Sequence, residues 1–323
     1  MRVRLVGPLK RKYGEVIEIH VGGDITLGKA LKIVSEKYPE LKGEIDDVEA
    51  YNFSLNGVLV RKDEIDSIMV RDEDEIIVIP AISGGDRAER VKKIVMGNFD
   101  LSGETYHIFE EKHEFFTRLA SDLVEFSGGT FESCLDVGCG TGVLARILDD
   151  CEVVGLDISR KMLEKAREFM IHLVQGDGAN LPFRDGSFDA VLFNASIFLI
   201  PDAGKALREA LRVVRTGGTV AGSLFSGIYR SGDNALAELG LMHREVYPSD
   251  RIVSMIRELG GEIDVVDYRA GRHLIIDFYS VPAMSNALFP GIEYVERVKL
   301  VKERLKNLPH DLEFRWTFFR IPD

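Results

Sequence analysis

Cysteine is scarce in this chain: Cys134, Cys139 and Cys151 are its only three in 323 residues. They are too few and too irregularly spaced for a disulfide framework or a zinc site, so no metal centre is expected and they read as reduced thiols packed in a core. Long apolar runs are missing too. The longest uncharged apolar stretch, AVLFNASIFLIP at Ala190–Pro201, has 12 residues, whereas a membrane-spanning helix needs roughly 20. The opening MRVRLVGPL alternates charged and apolar residues and lacks the apolar core of a secretory signal, so the expectation is a cytoplasmic protein without a membrane partner. Positive charge is in deficit. The formal net charge is −12, with 12 Lys and Arg against 16 Asp and Glu up to Gly85 and 29 against 37 beyond it. Non-specific binding to nucleic acid relies on cationic groups that neutralise phosphates, so no nucleic-acid partner is expected. No internal repeat or low-complexity tract stands out. What remains is ordinary for a soluble chain, 45% hydrophobic and 29% charged, with room for about two domains.

The first part alternates. RVRLVG from Arg2 and VIEIHV from Val16 place every second side chain on one face and predict a hairpin. DITLGKALKIVSEKYPE sets Leu27, Leu31 and Val34 at helical spacing, with Asp24 or Thr26 as N-cap and Pro39 beyond the end. FSLNGVLV carries the Asn56-Gly57 signature of a tight hairpin turn, and DEIIVIPAI closes with a buried strand. A small sheet laid over one helix is the predicted α+β architecture.

The segments LNGVLV and RDEDEIIVIPAISGG resemble the small sulfur-carrier proteins of molybdopterin and thiamine biosynthesis (MoaD/ThiS-like), which have the ubiquitin-like β-grasp fold. The resemblance covers residues 1–85. It implies a tail, Gly84-Gly85, whose terminal carboxyl is adenylated by an ATP-dependent activating enzyme and converted to a thiocarboxylate; residues without side chains suit a tail that threads a narrow channel. Here Asp86 follows, so the Gly85 carboxyl is locked in a peptide bond. Either a processing protease cuts after Gly85, or the domain is retained for docking or stability.

Residues 86–98, DRAERVKKIVMGN, lack the Gly/Ser richness of a flexible tether and predict a short helical linker. The remainder, 99–323, holds a glycine turn. ESCLDVGCGTGVLARILDD begins as an apolar strand, bends through Gly138, Gly140 and Gly142, and predicts a helix with Val143, Ile147 and Leu148 on one side. Such a turn lets a ligand approach bare backbone. VVGLD then ends a second strand at Asp157, where a carboxylate can accept from both hydroxyls of a ribose. Asp157 could alternatively cap the following helix, although Ser159 is available for that. A nucleoside ligand follows, but GCGTG is not the G-x-G-x-x-G of dinucleotide sites.

Taken in order, LDVGCGTG, GLDIS, QGDGANLPF, FDAVLFNAS and RVVRTGG resemble the class I S-adenosylmethionine-dependent methyltransferases, in particular the small-molecule branch that includes quinone-biosynthesis enzymes. That resemblance implies a Rossmann-like, doubly wound, mostly parallel sheet and S-adenosylmethionine as cofactor. It places Gly138, Cys139, Gly140 and Gly142 around the methionine part with Asp136 near its amino group, Asp157 and Ile158 at the ribose, Asp177 and Gly178 at the adenine, and Asn194 beneath the donor. Tyr106 is the candidate from the segment that folds over the ligand. Each has a plain alternative in a turn, a cap or core packing.

Methyl transfer from an activated sulfonium needs alignment and exclusion of water, not a metal. A base is needed only for some acceptors, and His107, His113, His243 and His273 are the weak candidates. Beyond Phe225, RIVSMIRELGGEIDVVDYRAG predicts a helix and a sixth strand, and LEFRWTFFRIP a closing strand with Trp316 and Phe318. Residues 271–311 between them are long enough for a strand or cap plus a helix, Glu293–Leu305, shaping an acceptor pocket with Phe278, Tyr279, Met284 and Phe289. The expected partner is a small-molecule methyl acceptor. The alternative is a protein that senses a nucleoside without transferring methyl, its first domain recruiting a partner.

Overall fold

The computed structural model describes residues 1–5, 14, 16–39, 51–60, 64–80 and 84–322. The chain divides into two compact units, Met1–Arg90 and Val91–Asp323. Residues 81–83, which include the end of the expected closing strand, lie outside the described residues.

In the first unit β1 (Arg2–Leu5) pairs antiparallel with β2 (Val16–Glu18) and parallel with β7 (Glu75–Pro80), while β4 (Tyr51–Leu55) and β5 (Val58–Val60) complete a five-stranded sheet of order β2-β1-β7-β4-β5. β3 (Ile25–Thr26) and β6 (Met69–Val70) form a separate pair. Asn56 and Gly57, both at positive φ, make the tight turn between β4 and β5, the backbone that an Asn-Gly pair adopts most cheaply. Helix α1 (Leu27–Lys37) is capped by the Thr26 side chain, which accepts from the Lys29 N–H. Its buried Leu27, Leu31 and Val34 share one core with Val3, Leu5, Phe53, Ile76 and Val78. One helix packed on a mixed sheet with a central parallel pair is the β-grasp arrangement.

Helix α2 runs from Gly84 to His113, longer than the linker helix expected over 86–98. Gly84 and Gly85 are its first residues, so they have helical backbone and do not form an extended tail. Once Asp86 continues the chain, the good helix formers Arg87, Ala88, Glu89 and Arg90 propagate a helix back to them. Between α2 and α3 (Phe115–Ser127), Glu114 takes a left-handed conformation. The buried Glu110 carboxylate accepts from the N–H groups of Phe116 and Thr117 at 2.9 and 2.6 Å, satisfying donors that a helix start leaves open.

The second unit is built on a sheet of order β10-β9-β8-β11-β12-β15-β14, from β8 (Ser133–Val137), β9 (Glu152–Asp157), β10 (His172–Gln175), β11 (Phe188–Phe193), β12 (Val214–Arg230), β14 (Glu262–Ala270) and β15 (Leu312–Pro322), with the short β13 (Asp233–Asn234) paired to β12. β8 to β12 are parallel; β15 runs antiparallel between β12 and β14. The chain order reverses between β8 and β11, and ligands of open α/β sheets bind at the carboxyl ends of strands at such a reversal. Connecting helices are α4 (Arg160–Ala166), capped by Ser159, α5 (Ala203–Val213), capped by Asp202, and α6 (Ser249–Glu258).

One expectation is corrected. After Gly142 there is no α-helix, only a 3-10 turn at Leu144–Arg146. Nine residues separate Gly142 from β9, and an α-helix at about 1.5 Å per residue would use them all without leaving any for the turns at its ends. The segment after β14, expected as a strand or cap plus a helix, folds as three helices, α7 (Arg272–Ser280), α8 (Pro282–Leu288) and α9 (Tyr294–Leu305), the last where a helix was expected.

Candidate functional site

The site begins where β8 ends. Gly138 and Cys139 donate their N–H groups to the Leu156 carbonyl at 2.7 and 3.1 Å, which folds the turn back onto β9. Gly138 has φ +78, and a Cβ there would sit 2.5 Å from the Ser196 Cβ, so only glycine fits. Gly140 has φ +54 with open space where a side chain would project. Its N–H donates to Asp157 Oδ2 at 2.9 Å, and the Ser159 N–H donates to Oδ1 at 2.8 Å.

A cavity opens over this turn. Gly138, Gly140, Asp157, Ile158, Asp177, Gly178, Asn194 and Tyr106, all singled out from the sequence, line it. Asp136, Cys139 and Gly142 do not. Asp136 is buried beneath the turn, with Oδ1 lacking a partner among the described residues. The Cys139 sulfur packs at Gly155, and Gly142, at φ +83, packs against Met170.

Electrostatics set these carboxylates apart. Burial pushes the Asp157 carboxyl up to about 6, although the N–H donors of Ser159 and Gly140 favour its ionised form. Burial, and then the neighbouring Asp157 charge, drives Asp136 upward too. Asp177 goes the other way. Burial opposes its ionisation, but the Lys92 ammonium 2.7 Å away and donors from Ala179 and Asn180 outweigh it and hold the carboxyl below its ordinary value.

Helix α2 forms one wall through Lys92, Val95, Phe99 and Tyr106, which recur at helical spacing on one face. It is tied to α4 by the Ser159 hydroxyl donating to Asp100 at 2.6 Å and by Lys165 against Glu104 at 2.9 Å. Tyr106 stacks on Phe116 with ring centroids 5.0 Å apart, and burial raises its hydroxyl far above the ordinary phenol value. The far wall is apolar: Phe116, Phe198, Phe278, Met284 and Trp316. Phe278 and Met284 were among the expected pocket residues, whereas Tyr279 and Phe289 are packed outside the cavity.

None of the four histidines suggested as bases is among the described lining residues. His113 meets Asp277 at 2.9 Å, His107 meets Glu111 at 3.4 Å, His273 lies beside His310, and His243 meets the Tyr279 hydroxyl at 3.1 Å. Sequence reasoning missed Lys92, Phe99, Phe116 and Ser196. The helical spacing of Lys92, Val95, Phe99 and Tyr106 was a usable signal for the first two; Phe116 and Ser196 had none.

The fit to a sulfonium-bearing adenosine is testable on the residues present. Bare backbone at Gly140, hydrogen-bonding carboxylates at Asp157 and Asp177, and the amide residue Asn194 form a polar half suited to a ribose, an adenine and an amino acid. Gly178 adds to it, since a Cβ there would lie 2.7 Å from Ile200 and 2.8 Å from Val137. Among the described residues no group of His, Cys, Asp and Glu could hold a metal ion.

A Rossmann-like sheet with this turn and carboxylate defines a nucleoside-binding α/β domain of the methyltransferase kind. Residues 135–222 match the family described as "Methyltransferase domain", and residues 3–85 match the ThiS family. The chain therefore carries a ThiS-family domain and a methyltransferase-family domain. Among curated relatives, a demethylmenaquinone methyltransferase of Staphylococcus haemolyticus is 43% identical over 96 residues, 27% of this chain and 40% of that protein. A malonyl-[acyl-carrier protein] O-methyltransferase of Pseudescherichia vulneris is 35% identical over 136 residues, 40% of this chain and 53% of that protein. The chain thus spans about half or less of the length of these relatives. Among solved structures, a SAM-dependent methyltransferase of Thermotoga maritima is 18% identical, with 70% of this chain and 99% of that one covered at a TM-score of 0.46. No helix among the described residues is long and apolar enough to cross a membrane.

Proposed function

We propose that the second unit transfers a methyl group from S-adenosylmethionine to an apolar small molecule. The observation that carries this reading is one cavity whose polar half holds Gly140, Asp157 and Asp177 and whose other half is walled by Phe116, Phe198, Phe278 and Trp316. When bound, S-adenosylmethionine would supply a methyl on a positively charged sulfur, leaving as S-adenosylhomocysteine, with the acceptor's proton released to solvent. The chain's part is to hold the ribose at Asp157 and the adenine at Asp177, to present Asn194 beneath the donor, and to exclude water with α2 and the aromatic wall. The relatives named for demethylmenaquinone and for malonyl-acyl-carrier protein support a ring or acyl acceptor. Calorimetry with S-adenosylhomocysteine tests the reading. Micromolar binding that Asp157→Ala weakens at least tenfold is expected, whereas affinity for NAD but not for S-adenosylhomocysteine would overturn it.

For the first unit we infer a carrier whose reactive end is Gly85. Hydrolysis of the 85–86 peptide bond would free the carboxyl that an activating enzyme adenylates with ATP. The ThiS-family match ending at residue 85 supports this, as does glycine at the first two positions of α2, where it lowers helix stability and lets the first turn fray. Intact-mass measurement of protein from its native cells is expected to find an 85-residue fragment; full-length chain alone would favour a retained docking domain.

A further inference from the structure

Four described residues other than glycine, Asn56, Glu114, Ala195 and Ser231, have positive φ, and of these only Ala195 lines the cavity. A left-handed backbone strains a residue that carries a Cβ, and such strain persists only where the surroundings impose it. The support is Ser223 on β12. Its hydroxyl oxygen accepts the Ala195 N–H at 2.9 Å, just past the end of β11 at Phe193, whose pairing with Gly222 is the last of that ladder. Ser223 is 0% exposed, in a strand whose Val220, Ala221, Leu224 and Phe225 are buried too, and buried parallel strands are ordinarily apolar throughout. A hydroxyl buried there is compensated only by a partner. In a strand, successive side chains point to opposite faces, yet Asn194, Ala195 and Ser196 all line the cavity. The left-handed residue between them makes that possible. On its other side the turn is braced by the Ser196 hydroxyl, which donates to the Val137 carbonyl at 2.5 Å.

Resting on the methyltransferase reading above, we propose that Ser223 is a positioning residue of the site: its hydroxyl holds Ala195 left-handed, and the turn so formed brings Asn194, Ala195 and Ser196 together onto the bound S-adenosyl compound. Ser223 acts through Ala195, from behind the described lining of the cavity. With alanine at this position, hydrogen bond and geometry stand or fall together. Without the hydroxyl, Ala195 relaxes to negative φ, and its two neighbours no longer face the same space. A glycine in its place would take the same backbone without strain, so the turn would depend far less on Ser223.

Calorimetry on full-length protein, with S-adenosylhomocysteine as the probe, tests this through a double-variant cycle. Ser223→Ala is expected to weaken binding about tenfold, an ordinary loss for a buried N–H left without its acceptor. In the background of Ala195→Gly the same change is expected to cost about twofold or less, because the turn is then unstrained. A hydroxyl that served only the packing of β12 would cost the same factor in both backgrounds. Ser226→Ala, which removes the next hydroxyl along β12 and its bond to Thr317, should leave the affinity unchanged. Equal factors in the two backgrounds, undiminished binding by Ser223→Ala, or an equal loss in Ser226→Ala would each overturn the role of Ser223. If Ser223→Ala does not fold, the double variant decides: folding and binding of Ser223→Ala with Ala195→Gly upholds the role, and its failure to fold overturns it. If the unaltered protein does not bind S-adenosylhomocysteine, the methyltransferase reading falls and takes this inference with it.

Discussion

The Gly140 N–H donates to the Asp157 carboxylate across 2.9 Å, so the end of β9 holds in place the turn that follows β8. Each oxygen of Asp157 takes one backbone N–H, from Gly140 and from Ser159. A carboxylate has about four acceptor positions, so the lone pairs that remain on the cavity side are available to a diol. One side chain therefore shapes the turn and presents a recognition surface.

Binding should report the ionisation of this group. Burial places the Asp157 carboxyl at about 6, and a diol that donates to it prefers the charged form. The affinity of S-adenosylhomocysteine is expected to rise about tenfold between pH 5 and pH 7, following the ionised fraction. Asp157→Asn should bind weakly with no such rise. Calorimetry at a series of pH values makes the comparison; a flat profile in the unaltered protein would remove Asp157 as the ribose partner.

The two glycines of the turn should fail differently when given a side chain. At Gly138 the added Cβ meets Ser196 at 2.5 Å, so Gly138→Ala must displace the segment that follows β11 and lose about 2 kcal/mol or more. At Gly140 nothing is in the way, and Gly140→Ala costs only the left-handed backbone, about 1 kcal/mol, while its methyl enters the space a ligand would approach. Urea unfolding and ligand titration together separate them: Gly138→Ala should lose more stability, and Gly140→Ala more affinity per unit of stability lost.

Arg297 is 4% exposed and has no carboxylate partner among the described residues. Its guanidinium donates to Asn98 Oδ1 at 3.1 Å and to the Pro282 carbonyl at 3.2 Å, and burial lowers its pKa. Asn98→Leu strips a buried cation of its main acceptor and should destabilise the second unit by about 3 kcal/mol. The double variant Asn98→Leu with Arg297→Met should recover more than half of that in urea unfolding, because the penalty lies in the stranded charge. An additive double variant would show that the pair contributes only by packing.

What could be read in advance was local. The Gly138 to Gly142 turn, Asp157 at the end of β9 and Asp177 after β10 lie within one strand-turn unit of their neighbours, so spacing alone exposes them. The Asn56-Gly57 hairpin and the face of α1 are of the same kind. The helix expected after Gly142 failed because propensity ignores how few residues remain before β9. Phe116 and Trp316 reach the cavity from opposite ends of the second unit, and only the antiparallel insertion of β15 beside β12 brings Trp316 level with Phe225. No local pattern encodes that pairing. Lys92 reaches the cavity because α2 runs on past the expected linker to His113.

Asp157 and His243 should also tilt the stability of the ligand-free second unit in opposite directions over one pH window. The folded pKa of Asp157, about 6, exceeds the unfolded value of about 3.9. The folded state therefore binds more protons between these values, and this contribution is complete below pH 4 and lost as pH rises through 6. Burial lowers His243 to about 4, below its unfolded value of about 6.5. Its contribution is complete above that value and lost as pH falls toward 4. Each is on the order of 3 kcal/mol, so the two largely cancel in the unaltered protein. Removing either should expose the other: with Asp157→Asn stability rises from pH 4.5 to 6.5, and with His243→Phe it falls. Urea unfolding followed by Trp316 fluorescence reads the second unit alone, and two variants with parallel pH profiles would show that at least one of these groups is not buried in solution as the fold places it.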